Sequence, residues 1–170
     1  MIRGVRSDDA SMLQAFVRRL SARSRRFRFF VALAELSAAQ LERFVNVDRG
    51  RGMALVALNE RPDGTEIIAE ARCVLDEQSL GAEFAIAVAD EFQRRGLGTR
   101  LVKNLLAYAS CRGVRRLFGE IMADNHGMLA FVSRLGFQVR ANLEDRTTMI
   151  ASVLPPARST DRSLLVGTAR

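Results

Sequence analysis

The sequence predicts an α+β domain with six to seven strands and about four helices, on three observations. Seven short apolar or alternating runs read as strands, and four stretches with apolar residues at helical spacing lie between them. One strand runs straight into a glycine-spaced turn that opens a helix. A chain of 170 residues is long enough to bury a core without disulfides or metals, and nothing in it demands a second domain.

Taken in order, Ile2 to Arg6 fits a first strand, and Ser7 or Asp8 is placed to cap a helix. The apolar residues Met12, Leu13, Phe16, Val17 and Leu20 recur along that helix at its own period. Ser21 to Phe30 is arginine-rich and broken by serines. Ser37 then stands as an N-cap for a helix carrying Leu41, Phe44 and Val45, and the two stretches form a helical arm. Met53 to Asn59 is an apolar strand, residues 61–65 supply proline, aspartate and glycine in turn order, and Glu66 to Leu75 returns as the second half of a hairpin.

Ala82 to Ala89 is the fourth strand, and a long amphipathic helix follows the glycine loop with Leu97, Leu101, Leu105 and Tyr108 on one stripe. Gly113 ends it. Arg115 to Met122 is the next strand, after which Asp124 or Asn125 caps a helix that runs through Arg134 and stops at Gly136, a place suited to a left-handed C-cap. Residues 137–142 and 147–153 close the sheet as a hairpin. The domain thus spans residues 1–154, and 155–170 reads as a flexible tail.

Composition narrows the classes of function. The apolar fraction of 48% and charged fraction of 26% are those of a soluble globular protein, and no apolar run approaches the roughly 20 residues of a membrane span. The first residues lack a signal-peptide pattern, so the expected location is the cytoplasm, with no membrane partner. Cys73 and Cys111 have no cysteine or histidine at zinc spacing, so both are expected to be free thiols and no metal is expected. The net charge of +7 is uneven, because residues 1–30 hold eight arginines against Asp8 and Asp9. Lys103 is the only lysine, and arginine suits bidentate contact with phosphates or carboxylates. The basic segment lacks interleaved tyrosine or tryptophan, which favours a solvated face or an acidic partner over nucleic acid.

The chemistry concentrates in Gln93-Arg94-Arg95-Gly96-Leu97-Gly98-Thr99. A strand that delivers the chain to such a turn presents unpaired backbone N–H groups, and the helix N-terminus adds about half a positive charge. Gly96 and Gly98 let an anion approach the main chain and let the chain take otherwise costly dihedrals. Arg94, Arg95 and Arg100 stand close enough to add charge-assisted contacts. A dinucleotide loop would need a third glycine where Leu101 stands, and a triphosphate loop would need Gly-Lys followed by Ser or Thr. Both are absent.

The run Gln93-Arg94-Arg95-Gly96-Leu97-Gly98 resembles the (Gln/Arg)-x-x-Gly-x-(Gly/Ala) signature of GNAT acetyltransferases. The resemblance continues through Ala123-Asp124-Asn125 and Ser133-Arg134-Leu135-Gly136-Phe137, and it covers residues 80–140. Ser24 to Phe30 is similar to a segment of bacterial protein-lysine acetyltransferases that act on acyl-CoA synthetases. The resemblance implies a mixed, mainly antiparallel sheet whose fourth and fifth strands splay apart around the pantetheine arm of acetyl-CoA. By it, Ile86, Ala87 and Val88 lie along the arm, Gln93 to Thr99 hold the pyrophosphate, and Asn125 contacts the cosubstrate near its reacting end. Asn125 also fits a plain helix cap.

An acceptor lysine, with an ordinary pKa of about 10.4, must lose a proton before it attacks a thioester. Along the fourth strand Phe84, Ile86 and Val88 face one way, while Glu83, Ala85, Ala87 and Ala89 face the other. Glu83 is therefore a carboxylate among small residues, with room for a substrate beside it, and it is the first candidate for general base. Glu120 on the next strand is the second. The resemblance makes the Val88 N–H the donor to the oxyanion. Many GNAT enzymes carry a tyrosine, as general acid, where this chain has Val132, and the only tyrosine is Tyr108. His126 suits a capping or surface role, and Cys111 lies away from the expected reaction centre.

The expected function is N-acetyl transfer to an amine, with a protein lysine, for instance on an acyl-CoA synthetase, preferred over a small amine. A non-catalytic acyl-CoA sensor is the other class, motivated by Val132.

Overall fold

The computed structural model describes residues 1–48, 50–62, 64–76 and 80–156. Its strands are β1 (Ile2–Gly4), β2 (Gly52–Arg61), β3 (Gly64–Asp76), β4 (Gly81–Val88), β5 (Arg116–Met122), β6 (Gln138–Ala141) and β7 (Thr148–Val153). They form one sheet in the order β1-β2-β3-β4-β5-β7-β6. Every neighbouring pair is antiparallel except β4 with β5, which run parallel. The helices are α1 (Ala10–Arg19), α2 (Ala22–Phe29), α3 (Ala38–Val45), α4 (Leu97–Cys111) and α5 (His126–Arg134).

Strand alternation sorts the core onto the two sides of the sheet. Leu55, Ala71, Cys73, Phe84, Leu117, Ile121 and Ala151 pack with Leu101, Val102 and Leu105 of α4 and with Val132 of α5. Val56, Leu58, Ile67 and Ala89 pack with Leu13, Phe16 and Val17 of α1 and Val45 of α3. Gly113 and Gly136 take φ of 70° and 87° just beyond α4 and α5, as their places in the sequence require.

Two local expectations are corrected. Neither Ser7 nor Asp8 caps the first helix. Residues Ser7–Asp9 form a 3-10 turn, and the buried Asp9 carboxylate accepts the Arg6 backbone N–H at 2.8 Å and both Arg3 guanidinium nitrogens at 2.6 Å. Asp9 is the N-cap residue of α1, but its carboxylate is engaged by Arg3 and Arg6 and makes no cap hydrogen bond to the helix. The serine-broken stretch is itself a helix, α2, with Ser21 as N-cap accepting from the Ser24 N–H at 3.1 Å, and the helix count becomes five. Of the tail expected over residues 155–170, residues 157–170 lie outside the described residues. No helix among the described residues is long and apolar enough to cross a membrane.

Candidate active site

The site is opened by a failure of strand pairing. β4 and β5 are in register only from Gly81 to Glu83 opposite Arg116 to Phe118, although β4 continues to Val88 and β5 to Met122. Beyond Glu83 the two strands part, and β4 keeps a partner only in β3. The Ala89 N–H donates to the Ile68 carbonyl of β3 at 2.9 Å. Backbone groups alternate along a strand, so Phe84, Ile86 and Val88 turn theirs toward the gap. Ala87, in register with Glu70, turns its own toward β3. At the parting point a Cβ on Gly119 would meet the Phe84 carbonyl oxygen at 2.9 Å, so only glycine lets β5 pass this close to β4.

The gap ends at the glycine loop. After the 3-10 turn Asp90–Phe92, the Gln93 side-chain amide donates to the Val88 carbonyl at 3.1 Å, which ties the loop to the end of β4. Arg94 and Gly96 then take left-handed φ of 60° and 83°. Left-handed residues on either side of Arg95 curl the main chain into a concave nest of N–H groups. Gly96 is the N-cap of α4 and has no side chain to satisfy the first-turn amides, so they remain open to an anion. Arg94, Arg95 and Arg100 surround the nest and are exposed, while Leu97 and Thr99 are half-buried. The two glycines serve different ends. Gly96 answers a dihedral, whereas Gly98 sits inside the helix, where a Cβ would lie 3.2 Å from the Phe131 ring of α5. This revises the expectation that both glycines relax the backbone.

On the opposite face of the sheet lie the carboxylates. Glu83 is the last residue of β4 paired with β5. Its pKa is raised, first by burial and then by the charge of Glu120, with Asp76 adding and Arg28 opposing. The side chain is nevertheless open to solvent on one side, which limits the rise. Glu120 accepts the Thr148 hydroxyl at 2.6 Å and the Asn142 amide at 2.9 Å, two donors that fix its orientation beside Glu83.

A third carboxylate on this face went unmarked by the sequence. Glu70 of β3 is only 2% exposed and lies between Arg72 Nε at 2.5 Å and Arg28 Nη2 at 3.1 Å. Burial alone would raise its pKa, but Arg72 and then Arg28 outweigh burial and hold it below the usual carboxylate range. Arg72 also stacks 3.6 Å over the Phe44 ring of α3. Glu70 and Arg72 share a face two residues apart on one strand, so that half of the cluster was legible. Arg28 comes from another helix and was not.

Arg28 belongs to α2, which lies across the open end of the gap. Asp90, two residues beyond β4, accepts the Ser21 N–H at 3.0 Å, the Ser21 hydroxyl at 2.8 Å and the Ser24 hydroxyl at 2.7 Å. Asp124, two residues beyond β5, accepts from Arg26 at 2.8 Å. An eight-residue helix with four arginines, no acid and no buried residue is poorly stable alone, and these carboxylates hold it in place.

Asn125 caps α5, its side-chain oxygen accepting the Met128 N–H at 3.1 Å. His126 opens the same helix and is exposed. Val132 is fully buried in the core. Tyr108 lies on α4 with its hydroxyl buried and without a partner among the described residues, under Arg112. Cys73 is buried, its thiol pushed up to about 11, and Cys111 sits at the far end of α4.

The model of the Acetyltransferase (GNAT) family matches residues 17–137. The chain belongs to the GNAT acetyltransferase family. An acetyltransferase of Pseudomonas aeruginosa is 29% identical over 150 residues, which cover 88% of this chain and 81% of that protein. The [ribosomal protein bS18]-alanine N-acetyltransferase of Salmonella typhimurium is 45% identical over 64 residues, 38% of this chain and 41% of that protein. Among solved structures, the GNAT domain of S. lividans PAT superposes with a TM-score of 0.81 at 27% identity, covering 90% of this chain and 89% of that one. GNAT enzymes draw on acetyl-CoA, and the nest and the gap between β4 and β5 have the shape and polarity such a cosubstrate requires.

Proposed function

We propose that this GNAT enzyme moves the acetyl group of acetyl-CoA to an amine on a protein, with a lysine preferred, by direct attack and with Glu83 as the base. One observation carries this: Glu83 sits at the apex where β4 and β5 part, beside the Glu120 carboxylate and with its proton affinity raised. A carboxylate in that state takes a proton more readily than an ordinary one.

Acetyl-CoA supplies an acyl group activated as a thioester. The N–H groups of residues 94–99 hold its diphosphate, with Arg94, Arg95 and Arg100 around them. Ile86 and Val88 offer main-chain groups to the pantetheine amides, Ala87 lends a small side chain beside them, and Gln93 braces the Val88 carbonyl. The Val88 N–H points to where charge grows on the acyl oxygen. Asn125 contacts the arm through its amide nitrogen. Glu83 accepts the proton of the acceptor ammonium, directly or through water. With Val132 in the core and the Tyr108 hydroxyl buried near the C-terminal end of α4, the leaving sulfur takes its proton from solvent. A protein acceptor agrees with the bS18-alanine relative, whose name assigns it an amine on a ribosomal protein, and with the open form of the cleft.

The test uses the full chain with acetyl-CoA and lysine peptides, following release of CoA. Glu83→Gln should lower kcat by about 100-fold or more while leaving acetyl-CoA affinity unchanged. Wild-type turnover in Glu83→Gln refutes the base assignment. Tight acetyl-CoA binding without release of CoA over a broad amine panel instead supports the acyl-CoA sensor, for which the loss of the tyrosine at Val132 argues.

A further inference from the structure

The sign of the charge reverses between the floor of the acceptor side and its rim. Around the apex stand Glu83 and Glu120, while Glu70 is neutralised by Arg28 and Arg72. At the rim, a cleft of about 810 Å³ runs between α2 and the start of α5. Arg23, Arg25 and Arg26 line one side and Asp124 and His126 the other, with Ala32, Leu33 and Ala34 also in the lining. Three arginines against one aspartate leave this rim positive.

The four arginines of α2 are not equivalent. Arg28 points inward to Glu70. Arg25 folds back on α1, donating to the Arg18 carbonyl at 3.1 Å and also to the Leu20 carbonyl. Arg26 pairs with Asp124, but both side chains are about half exposed, at 46% and 56%, so a competing carboxylate can exchange with Asp124 at little loss. Arg23 is exposed, lines the cleft and rests on the Phe27 ring at 5.2 Å; it makes no salt bridge among the described residues, although its charge acts on Asp124 beside that of Arg26. Of the three arginines at the rim, Arg25 is held by main-chain carbonyls, while Arg23 is open and Arg26 exchangeable.

We propose that this rim reads acidic side chains beside the acceptor amine, so that the substrate is a lysine within an acidic protein segment. The amine descends toward Glu83 and Glu120, which attract its positive charge, and flanking carboxylates meet Arg23 and Arg26. A continuous phosphate chain fits less well, because the carboxylates of the floor repel it. This inference rests on the protein-amine reading above and adds to it the kind of segment recognised.

The experiment compares three lysine peptides of equal length, flanked by Asp and Glu, by Ser and Gln, or by Arg, using the full chain at low salt. The acidic peptide should exceed the neutral one in kcat/KM by about five- to tenfold, through KM, with the difference shrinking at 0.5 M salt. In Arg23→Glu the ratio of acidic to neutral kcat/KM should fall to about one or below. Equal use of all three peptides by the wild type, or an unchanged ratio in Arg23→Glu, overturns this inference and leaves the protein-amine reading intact. Acetylation of small amines but of no peptide refutes that reading, and this inference with it. Weaker acetyl-CoA binding in Arg23→Glu by calorimetry assigns the rim to the cosubstrate's phosphates and overturns the inference. So does RNA binding by the wild type that Arg23→Glu abolishes.

Discussion

Gly119 of β5 lies under Phe84 of β4 so closely that a Cβ would stand 2.8 Å from the ring and 2.9 Å from the carbonyl oxygen. The strands that separate to form the cleft are therefore pressed together where they separate. One obstacle is backbone and cannot swing aside. Gly119→Ala should lower stability by about 1 to 3 kcal/mol through overpacking, read by urea denaturation. A variant as stable as wild type would show that β4 shifts freely at this point.

The two glycines of the loop should respond differently. Gly96→Ala forces a methyl group onto a residue with φ of 83°, at about 1 to 2 kcal/mol, in a place with nothing else within 4 Å. Its effect should fall on the nest, as weaker acetyl-CoA binding by calorimetry. Gly98→Ala keeps helical backbone and pushes on Phe131, so its effect should fall on the packing of α4 against α5 and on thermal stability.

The pH profile follows from Glu83. Its pKa is raised, so the base form appears only as pH climbs through a range above that of an ordinary glutamate, and kcat/KM should rise across that range. Glu120→Gln removes the second cause of the rise, and the acidic limb should move to lower pH. A limb that stays in place would mean that the two carboxylates do not sense each other during turnover.

Glu70 ties the pH dependence of stability to the arm. Its pKa in the folded chain is depressed, so its contribution is present above its unfolded value and is lost as pH falls through the folded one. Glu70→Gln leaves Arg28 and Arg72 buried without a counter-charge, a loss of about 3 to 5 kcal/mol at neutral pH. The variant should lose less stability on acidification than the wild type, and trypsin should cut α2 sooner. Equal trypsin rates would show that Asp90 and Asp124 hold the arm unaided.

Much of this was legible in order along the chain. Apolar period two and period 3.6 marked the strands and α1, α3, α4 and α5, because each element shows one face to a core and the other to water. α2 was harder, because its hydrophobic residues do not form a buried stripe and its stability comes from carboxylates 69 and 98 residues away, at Asp90 and Asp124. Asp9 was passed over as a cap for a similar reason. Its partner Arg3 lies on β1, and only folding brings that guanidinium to it.

By itself the sequence determined the family, the glycine-spaced turn that opens α4 and the strand that carries Glu83, since these depend on local spacing of glycines, charges and apolar residues. The tertiary structure decided where β4 leaves β5, that Glu70 is neutralised, and that α2 lies across the opening. Those outcomes depend on long-range contacts, Gly119 with Phe84, Arg28 with Glu70 and Arg26 with Asp124, whose partners carry no local signal of one another.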